Sequence, residues 1–432
     1  MMVSKVTTKF IQWATAFNET VTKSIDRINS MEFLALARKS KRNFTRERKM
    51  GFVKLIKCLL NFPRQPLPLE IDRFGELVGD KNFSMTKQAF SKARQNIKPE
   101  AFLDLLHLSV DTVMCSEAEF DRTQGYRIFA VDGTELEIEP NPATLEAFGT
   151  REQRDKRITR ARASMLCEVS KGIVIDAVIS HITDHERAMA KGHIDFFAQY
   201  GNENDLLIFD RGYPSSELFS ILSCHKFKYI CRIQRNYFRD LPEETEFDIT
   251  RNLSYKGISF SVRIIKFLLD SGESEILVTN LPSERVKSSD FLSLYFLRWG
   301  IESKYNTLKS KLLIEHFSGK TPIAIQQDFY ATLYLSNIVA LAKAASDEIV
   351  NENDVCKNLK NQRQTNEKLL IGRLKDNLVL MMLCSNRKKR EKMFMNIITA
   401  ASKITSEIRP GRSFQRPKDA NNRRRHRLKT VL

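Results

Sequence analysis

The chain has 432 residues and a net charge of +18, with 70 Lys or Arg against 52 Asp or Glu. This length is enough for two or three domains with a sizeable core, and the strong positive charge indicates a polyanionic partner. No stretch approaches the ~18 consecutive apolar residues of a membrane span, and the N-terminal segment lacks the apolar run and cleavage site of a secretory signal.

Seven cysteines are scattered along the chain, mostly inside apolar segments, and no two of them form a Cys-x-x-Cys pair. An odd and dispersed set predicts neither a disulfide framework nor a zinc site. The cysteines therefore favour a protein of a reducing compartment.

The positive charge is concentrated in two clusters. Residues 38–54 carry eight Lys or Arg against Glu47 alone, and residues 409–432 carry nine against Asp419 alone. Clusters of this kind contact phosphates without reading sequence. A merely soluble basic surface or a membrane-surface patch would have the same charge, but no amphipathic anchor accompanies it, so nucleic acid is the favoured partner.

In chain order, residues 1–120 show apolar positions at helical spacing. Within them, helices at 69–79 and 85–97 separated by a turn at 80–84 resemble a helix-turn-helix, although a plain helical hairpin fits as well. On the second of these helices, the side chains available for DNA contacts are Thr86, Lys87, Gln88, Lys92 and Arg94.

From Tyr126 onward the pattern changes to short apolar strands. The predicted strands are 126–136, 164–169, 173–180, 205–209 and 228–233, and the predicted helices between them are 184–200 and 214–226. Residues 234–290 interrupt this pattern with β-rich stretches at 258–265 and 275–279. Helical segments at 323–347 and 366–404 follow, and then a basic tail.

Two aspartates end apolar strands. Asp132 follows Ile128-Phe129-Ala130-Val131, and Asp210 follows Leu206-Leu207-Ile208-Phe209. A carboxylate at the end of a strand is aimed into a cleft at the sheet edge. Each aspartate alone could equally be a turn residue, because Asp-Gly is a frequent turn dipeptide.

A third carboxylate belongs to a regular pattern further along the chain. Tyr295, Arg298, Glu302 and Lys309 are spaced by 3, 4 and 7 residues, which on one continuous helix of about four turns puts them within roughly 60° of each other. Such a stripe suits a site for a metal ion and a phosphate. For any single Glu-Lys pair, a solvated helix face is the simpler interpretation.

Taken together, these residues resemble the DDE transposases of bacterial insertion sequences, in particular the insertion-sequence-four family. That family carries a Tyr-x2-Arg-x3-Glu-x6-Lys motif and two Asp motifs, matched here by Tyr295, Arg298, Glu302 and Lys309, by Asp132-Gly133-Thr134, and by Asp210-Arg211-Gly212-Tyr213. The resemblance covers most of the chain. It implies that Asp132, Asp210 and Glu302 are the catalytic, metal-binding triad.

The implied fold class is α/β, with a ribonuclease-H-like catalytic core. The order of three strands, a helix, a strand, a helix and a strand agrees with such a core. We expect a helical DNA-binding domain at 1–120, the catalytic domain at 121–345 with a β-rich inserted subdomain at about 234–290, and a helical, basic C-terminal region at 346–432.

The implied chemistry is metal-dependent cleavage at transposon ends, followed by strand transfer of the freed 3′-hydroxyl into target DNA. Oxygen ligands favour Mg²⁺, with Mn²⁺ as a substitute, and three carboxylates can hold two such ions, with Asp132 as the bridging ligand. By resemblance, Tyr295, Arg298 and Lys309 grip phosphates of the transposon end. Arg211 and Tyr213 are expected to assist in DNA binding.

The expected partner is double-stranded DNA, both terminal inverted repeats and target, bound by a homodimer in the bacterial cytoplasm and not at a membrane. A nuclease of the same fold that does not rejoin DNA, and a catalytically inactive DNA-binding regulator derived from a transposase, are the alternatives. The strand at 274–280 lacks the aromatic platform on which hairpin-forming members stack a flipped base, so either no hairpin forms or Tyr237 or Phe238 supplies the ring. His185 and His193 are interpreted as surface residues.

Overall fold

The structure is a computed structural model that describes residues 8–408, apart from residues 47, 62–64, 81–82, 154–155, 270–271 and 356–360. The basic tail predicted at 409–432 lies outside the described residues. No helix in the part of the chain that the structure describes is long and apolar enough to cross a membrane.

The helices of the described residues, labelled in chain order, are α1 (Thr8–Asn29), α2 (Met31–Ala37), α3 (Phe52–Leu59), α4 (Leu67–Leu77), α5 (Lys87–Arg94), α6 (Glu100–Met114), α7 (Pro142–Phe148), α8 (Glu186–Phe197), α9 (Ser216–Cys224), α10 (Phe291–Phe296), α11 (Trp299–Ser310), α12 (Pro322–Val355), α13 (Glu367–Leu374), α14 (Asn377–Leu383) and α15 (Arg387–Ser402). The strands are β1 (Arg127–Glu137), β2 (Thr150–Gln153), β3 (Lys156–Glu168), β4 (Ile173–His181), β5 (Asp205–Phe209), β6 (Lys228–Ile233), β7 (Phe247–Tyr255), β8 (Ile258–Leu268), β9 (Ser274–Thr279), β10 (Arg363–Thr365) and β11 (Thr405–Glu407).

The chain divides into two compact units. One is helical and combines Met1–Glu119 with Lys311–Leu432; the other, Phe120–Ser310, contains the large sheet. This division agrees with the predicted boundary at 120 but places the second boundary at Lys311, where the prediction has 345. The difference arises from α12, which is largely buried and packs against α1, α6 and α15, so that it belongs with helices from both ends of the chain.

In the helical unit, α1 buries one face at three- and four-residue spacing, and its Phe17 stacks on Phe394 of α15 with ring centroids 3.9 Å apart. The helical segment predicted at 366–404 is broken into α13, α14 and α15. Its first break falls at Asp376, whose φ of 62° is incompatible with a continuing right-handed helix.

The predicted helix pair of residues 69–97 is present as α4 and α5, with Thr86 capping α5 by accepting from the Ala89 N–H. The prediction that Arg94 is available for DNA is wrong. Its side chain is 1% exposed, because its guanidinium forms an ion pair with Asp328 at 2.7 Å and donates to Gln327 at 2.9 Å.

In the other unit, the described strands form a nine-stranded mixed sheet in the order β2-β3-β1-β5-β6-β9-β8-β7, with β4 also paired to β3. The neighbours β1, β5 and β6 run parallel to each other, and the remaining pairs are antiparallel. All five residues of β5 are buried, as expected for a central parallel strand covered on both faces.

The β-rich stretch predicted as an inserted subdomain is continuous with this sheet. Strand β9 pairs with β6, and β8 and β7 follow it at the edge. The β7–β8 hairpin turns at Lys256 and Gly257, both with positive φ (47° and 81°), the geometry of a tight two-residue hairpin loop. Edge-to-edge pairing therefore extends one sheet, and no second sheet forms here among the described strands.

Candidate active site

The register of β1 against β5 places the two predicted aspartates side by side. Val131 of β1 is the partner of Phe209, so the residues that follow them are Asp132 and Asp210. Asp210 comes directly after β5, as predicted, whereas Asp132 does not end its strand, because β1 continues to Glu137. Side chains at one level of adjacent parallel strands are neighbours. Two apolar runs of equivalent length thus bring two carboxylates to the same edge of the sheet core.

Asp132 is the more enclosed of the two aspartates. Its Oδ1 accepts a hydrogen bond of 2.9 Å from the Gly133 N–H, and the Tyr305 hydroxyl donates to its backbone carbonyl at 2.8 Å. Burial raises the pKa of the Asp132 carboxyl from 3.8 to about 6, and the nearby Arg298 cation only partly opposes this. An ionised Asp132 therefore needs positive charge close by.

Asp210 lies in the turn after β5, with its side chain 37% exposed. The Tyr295 hydroxyl donates to its Oδ1 at 3.0 Å. Tyr295 itself is buried, and burial together with the Asp210 charge raises the pKa of the phenol above its usual range. The phenol thus stays protonated and remains a donor to the carboxylate.

The helix predicted over the Tyr-Arg-Glu-Lys pattern is interrupted. Tyr295 is on α10, Arg298 is in the connecting turn, and Glu302 and Lys309 are on α11. The Arg298 N–H bonds to the Tyr295 carbonyl and the Ile301 N–H to the Arg298 carbonyl, both at 3.0 Å, which is the tighter i to i+3 geometry of helix ends. The prediction of one continuous helix is wrong.

Despite the break, Arg298 joins the third carboxylate to the first two. Its Nη2 donates to Glu302 Oε1 at 2.9 Å and lies 4.0 Å from Asp210 Oδ2. Burial lowers the pKa of Arg298, but Tyr295 and the three carboxylates of Asp210, Asp132 and Glu302 together raise it above its ordinary value. One nearly buried guanidinium thus compensates three acidic groups.

These three carboxylates fit a hard divalent cation in their chemistry. The donor atoms are all oxygens, and the enclosed Asp132 carboxylate requires a positive neighbour in its ionised form. Among the described residues, no three Asp, Glu, His or Cys side chains stand close enough to hold one ion as they are. In the structure, the Tyr295 hydroxyl instead donates to Asp210 and the Arg298 guanidinium donates to Glu302.

Lys309 contacts strand β1. Its Nζ donates to Thr134 Oγ1 at 3.0 Å and to the Glu135 carbonyl at 2.9 Å. It therefore ties α11 to β1 just beyond Asp132. That contact fixes the direction in which α11 presents Glu302.

The two residues predicted to assist DNA binding differ in exposure. Arg211 is exposed, whereas Tyr213 is 2% exposed with its ring 5.8 Å from that of Phe209. A side chain enclosed in this way does not reach a DNA phosphate. Tyr213 is therefore not retained as a DNA contact.

Two further residues, His193 and Glu186, lie near the site but were not assigned to it from the sequence. His193, predicted to be on the surface, is 1% exposed: its Nδ1 is 2.7 Å from Asp176 Oδ2 and its Nε2 is 3.0 Å from Ser164 Oγ. The sequence signal for this burial is helical spacing, because His193 shares one face of α8 with the buried residues Ala190 and Phe197. Glu186, at the start of α8, reaches Gly133 and Gly212, the glycines that follow the two aspartates.

Comparisons with known proteins bear on this arrangement. No curated protein matches the chain. Among solved structures, it is similar to a chain of the cryo-EM structure of a piggyBac transposase synaptic complex with hairpin DNA, at 11% identity and a TM-score of 0.44, covering 94% of this chain and 89% of that one. The transposase DDE domain family matches residues 123–338, which is half of the chain and includes Asp132, Asp210 and Glu302. The chain belongs to the transposase DDE domain family.

Proposed function

We propose that this protein is the transposase of a bacterial insertion sequence of the insertion-sequence-four type, which cuts DNA at the element's ends and joins them to target DNA. The observation that carries the proposal is the buried guanidinium of Arg298, which donates to Glu302 and lies 4.0 Å from Asp210 Oδ2, next to the level of the sheet at which Asp132 and Asp210 are neighbours. Three like charges repel each other unless cations compensate them, so such a cluster suits the binding of metal and phosphate.

Asp132, Asp210 and Glu302 are the residues that hold the cofactor, with Mg²⁺ as the ion and Mn²⁺ as a substitute. When bound, up to two such ions activate the attacking oxygen and neutralise the leaving oxygen of an in-line phosphoryl displacement. Asp132, on β1 between β5 and β3 in the described sheet, is the most enclosed of these three carboxylates, so its ionised form would gain most from a bound cation. The assignment of the three carboxylates goes with our proposal that the catalytic domain has a ribonuclease-H-like core.

The cationic and phenolic groups have a second task in this proposal. Arg298 and Tyr295 donate to the carboxylates in the structure, and both are donors that phosphate oxygens accept equally well. Arg298 exchanges Glu302 for a phosphate of the transposon end, whereas Lys309 keeps α11 on β1. Arg211, which is exposed, adds a further phosphate contact.

DNA binding beyond the site is assigned to the basic cluster at residues 38–54. Its described Lys and Arg side chains are exposed or half-exposed, and the exposed ones include Lys39, Lys41 and Arg42. Exposed cations bind phosphates without sequence preference and make affinity depend on salt. The helical unit, with α4 and α5, is proposed to supply the rest of the end-binding surface.

A two-stage assay on DNA from the borders of the element tests this function. The first stage incubates an end duplex with protein and Mg²⁺, with an EDTA control, and maps the cut. The second stage supplies a pre-cut end with a free 3′-hydroxyl and a supercoiled target plasmid. We expect metal-dependent cutting at the border and covalent joining to the plasmid.

The same assay separates the alternatives. Cutting without joining would identify a nuclease of the same fold. Sequence-specific binding without either reaction would identify an inactive regulator. Each of these two results overturns the proposal of a working transposase.

A further inference from the structure

The first turn of α8 lies against Gly133, which follows Asp132 within β1, and against Gly212, in the turn after Asp210. The two oxygens of the Glu186 carboxylate face different glycines. A Cβ added to Gly133 would meet Glu186 Oε1 at 2.8 Å, and a Cβ added to Gly212 would meet Glu186 Oε2 at 3.3 Å. One carboxylate is therefore wedged between the residue after Asp132 and the turn after Asp210.

Neither glycine is needed for its backbone conformation, because neither has a positive φ. The space taken by Glu186 is the reason that a side chain does not fit at Gly133. The Gly133 N–H also donates to Asp132 Oδ1 at 2.9 Å. A displacement of Gly133 therefore moves the donor of this hydrogen bond and with it the Asp132 carboxylate.

Two arginines hold the wedge in place. Arg162 of β3 forms an ion pair with Glu186 Oε1 and donates through its Nε to the Ile182 carbonyl at 3.1 Å. Arg187 donates through its Nε to the Gly212 carbonyl at 3.0 Å. Arg162 thus holds the Glu186 carboxylate against β3. Arg187, the next residue on α8, holds the helix against the turn after Asp210.

We propose that Glu186 is a positioning residue: together with Arg162 and Arg187 it sets the separation of the Asp132 and Asp210 carboxylates for divalent cation binding. The inference rests on the proposed function, since it assumes that these carboxylates bind the ion. Its physical basis is that a site of oxygen ligands binds tightly only when the ligands are already held apart at the required distance. Glu186 itself does not contact the ion or the DNA in this proposal.

The test measures binding of Mn²⁺ alone to the full chain, from the electron paramagnetic resonance signal of the free ion. The variants are Glu186→Ala, Glu186→Gln and Gly133→Ala. The matched control is Glu217→Ala, because Glu217 is also an acidic residue in the first turn of a helix and pairs with Lys191 at 3.7 Å on the surface. Both substitutions to Ala remove an acidic side chain from the first turn of a helix and so lose its favourable interaction with the helix dipole. A difference in Mn²⁺ binding between the two variants therefore has another cause.

We expect Glu186→Ala to weaken Mn²⁺ binding about tenfold and Glu217→Ala to leave it unchanged, since it is Glu186 that lies between the residue after Asp132 and the turn after Asp210. Glu186→Gln should lie between wild type and Glu186→Ala, because it keeps the wedge but loses the charge that Arg162 binds. The Gln variant also keeps the test valid if the Ala variant fails to fold. Equal affinities for Glu186→Gln, Glu217→Ala and wild type would overturn the inference.

A double-mutant cycle gives the second, independent readout. Gly133→Ala should weaken Mn²⁺ binding because its methyl group collides with Glu186. In Gly133→Ala/Glu186→Ala that collision is gone, so the double variant should bind at least as well as Gly133→Ala alone. Losses that simply multiply would show that Glu186 and Gly133 do not act together, and would contradict the wedge.

The outcomes also separate this inference from the proposed function. If wild type and Asp132→Asn bind Mn²⁺ equally weakly and neither cuts DNA, the proposed function fails. If wild type binds the ion and cuts, while the Glu186 variants bind it as wild type does, only the positioning role fails. In the expected case, Glu186→Ala lowers kcat for cleavage and leaves the KM for DNA unchanged.

Discussion

At the residue scale, the charge balance of the site depends on Arg298. Its side chain is 7% exposed and bonds to Glu302, while Asp210 lies 4.0 Å away. Removing one member of a buried ion pair lowers the free energy of unfolding by more than the intact pair contributes, because the remaining charge stays buried without a partner. Here the carboxylates of Asp210 and Glu302 are 37% and 26% exposed, so water lessens that cost.

The first prediction concerns Arg298→Ala in protein free of divalent ions. We expect it to lower the free energy of unfolding by about 1–3 kcal/mol, because three carboxylates lose their shared cation. Added Mn²⁺ should restore much of this loss by binding the folded state. Urea denaturation with and without Mn²⁺ measures both effects. Arg251→Ala, which breaks an exposed pair with Asp240, is the control and should show neither.

The second prediction concerns pH and Asp132. Because its folded pKa of about 6 is above its usual 3.8, the folded state binds more protons than the unfolded state between about pH 4 and 6. Stability contributed by this group is therefore present at low pH and is lost as the pH rises through 6. The buried Glu168, whose pKa burial also raises to about 6, acts in the same direction.

Asp132→Asn should consequently make the metal-free protein more stable at pH 7.5, by on the order of 2 kcal/mol, and little different at pH 4. The variant should still show the pH dependence that comes from Glu168. Urea midpoints in EDTA at the two pH values measure the difference. A variant less stable than wild type at pH 7.5 would mean that the ionised Asp132 is well compensated in the folded protein.

At the element scale, the break between α10 and α11 positions Glu302. Gly300, the second residue of α11, lies against Val169, and a Cβ there would meet Val169 Cβ at 2.8 Å. The chain can pass this close to the end of β3 only without a side chain at residue 300. The start of α11, and with it Glu302, is therefore fixed by contact with the sheet.

Gly300→Ala should destabilise the protein and weaken Mn²⁺ binding, because α11 must move away from Val169 by several tenths of an ångström or more. The control is Gly192→Ala on α8, where the added methyl group meets nothing within 4 Å. That change should stabilise the helix by roughly 0.5–1 kcal/mol and leave Mn²⁺ binding unchanged. Equal responses at residues 192 and 300 would contradict the packing explanation.

Elements whose identity depends on local pattern were predictable from the sequence. Strands β5 and β6 have the predicted bounds, since each is a short run of buried apolar residues between turn signals. The break before α11 was not predictable, because helical spacing continues through it and a contact with distant Val169 decides the outcome. Strand β7 was missed although its residues alternate in exposure, because Arg251 interrupts the apolar series at the centre of the strand.

Local and distant features also decide which site residues the sequence could indicate. The three carboxylates were proposed from local features, an apolar run before each aspartate and the motif spacing of Glu302, and in the structure Arg298 lies beside Asp210 and Glu302. Arg94 and His193 were assigned to the surface because their partners, Asp328 and Asp176, are distant in the sequence or on another element. Burial of a polar side chain depends on such partners and does not appear in local periodicity.

At the scale of the whole molecule, the net charge of +18 predicts steep salt dependence of DNA binding. The logarithm of affinity should fall linearly with the logarithm of salt concentration, with a slope of roughly 0.9 per phosphate contact. Deleting residues 409–432, or changing Lys39, Lys41 and Arg42 together to Gln, should each make the slope shallower. Fluorescence anisotropy over a range of salt concentrations measures it, and an unchanged slope would remove that cluster from the DNA interface.

The central claim is that Asp132, Asp210 and Glu302 hold the metal ions for DNA cleavage and are not needed for DNA affinity. Gel-shift and Mg²⁺-dependent cleavage assays on one end duplex test it for Asp132→Asn, Asp210→Asn and Glu302→Gln, with Glu217→Gln as a surface control. We predict that each of the three binds within a few-fold of wild type and makes no detectable cut, while the control cuts normally. Near wild-type cutting by any of the three, or loss of binding in parallel with cutting, would contradict the claim.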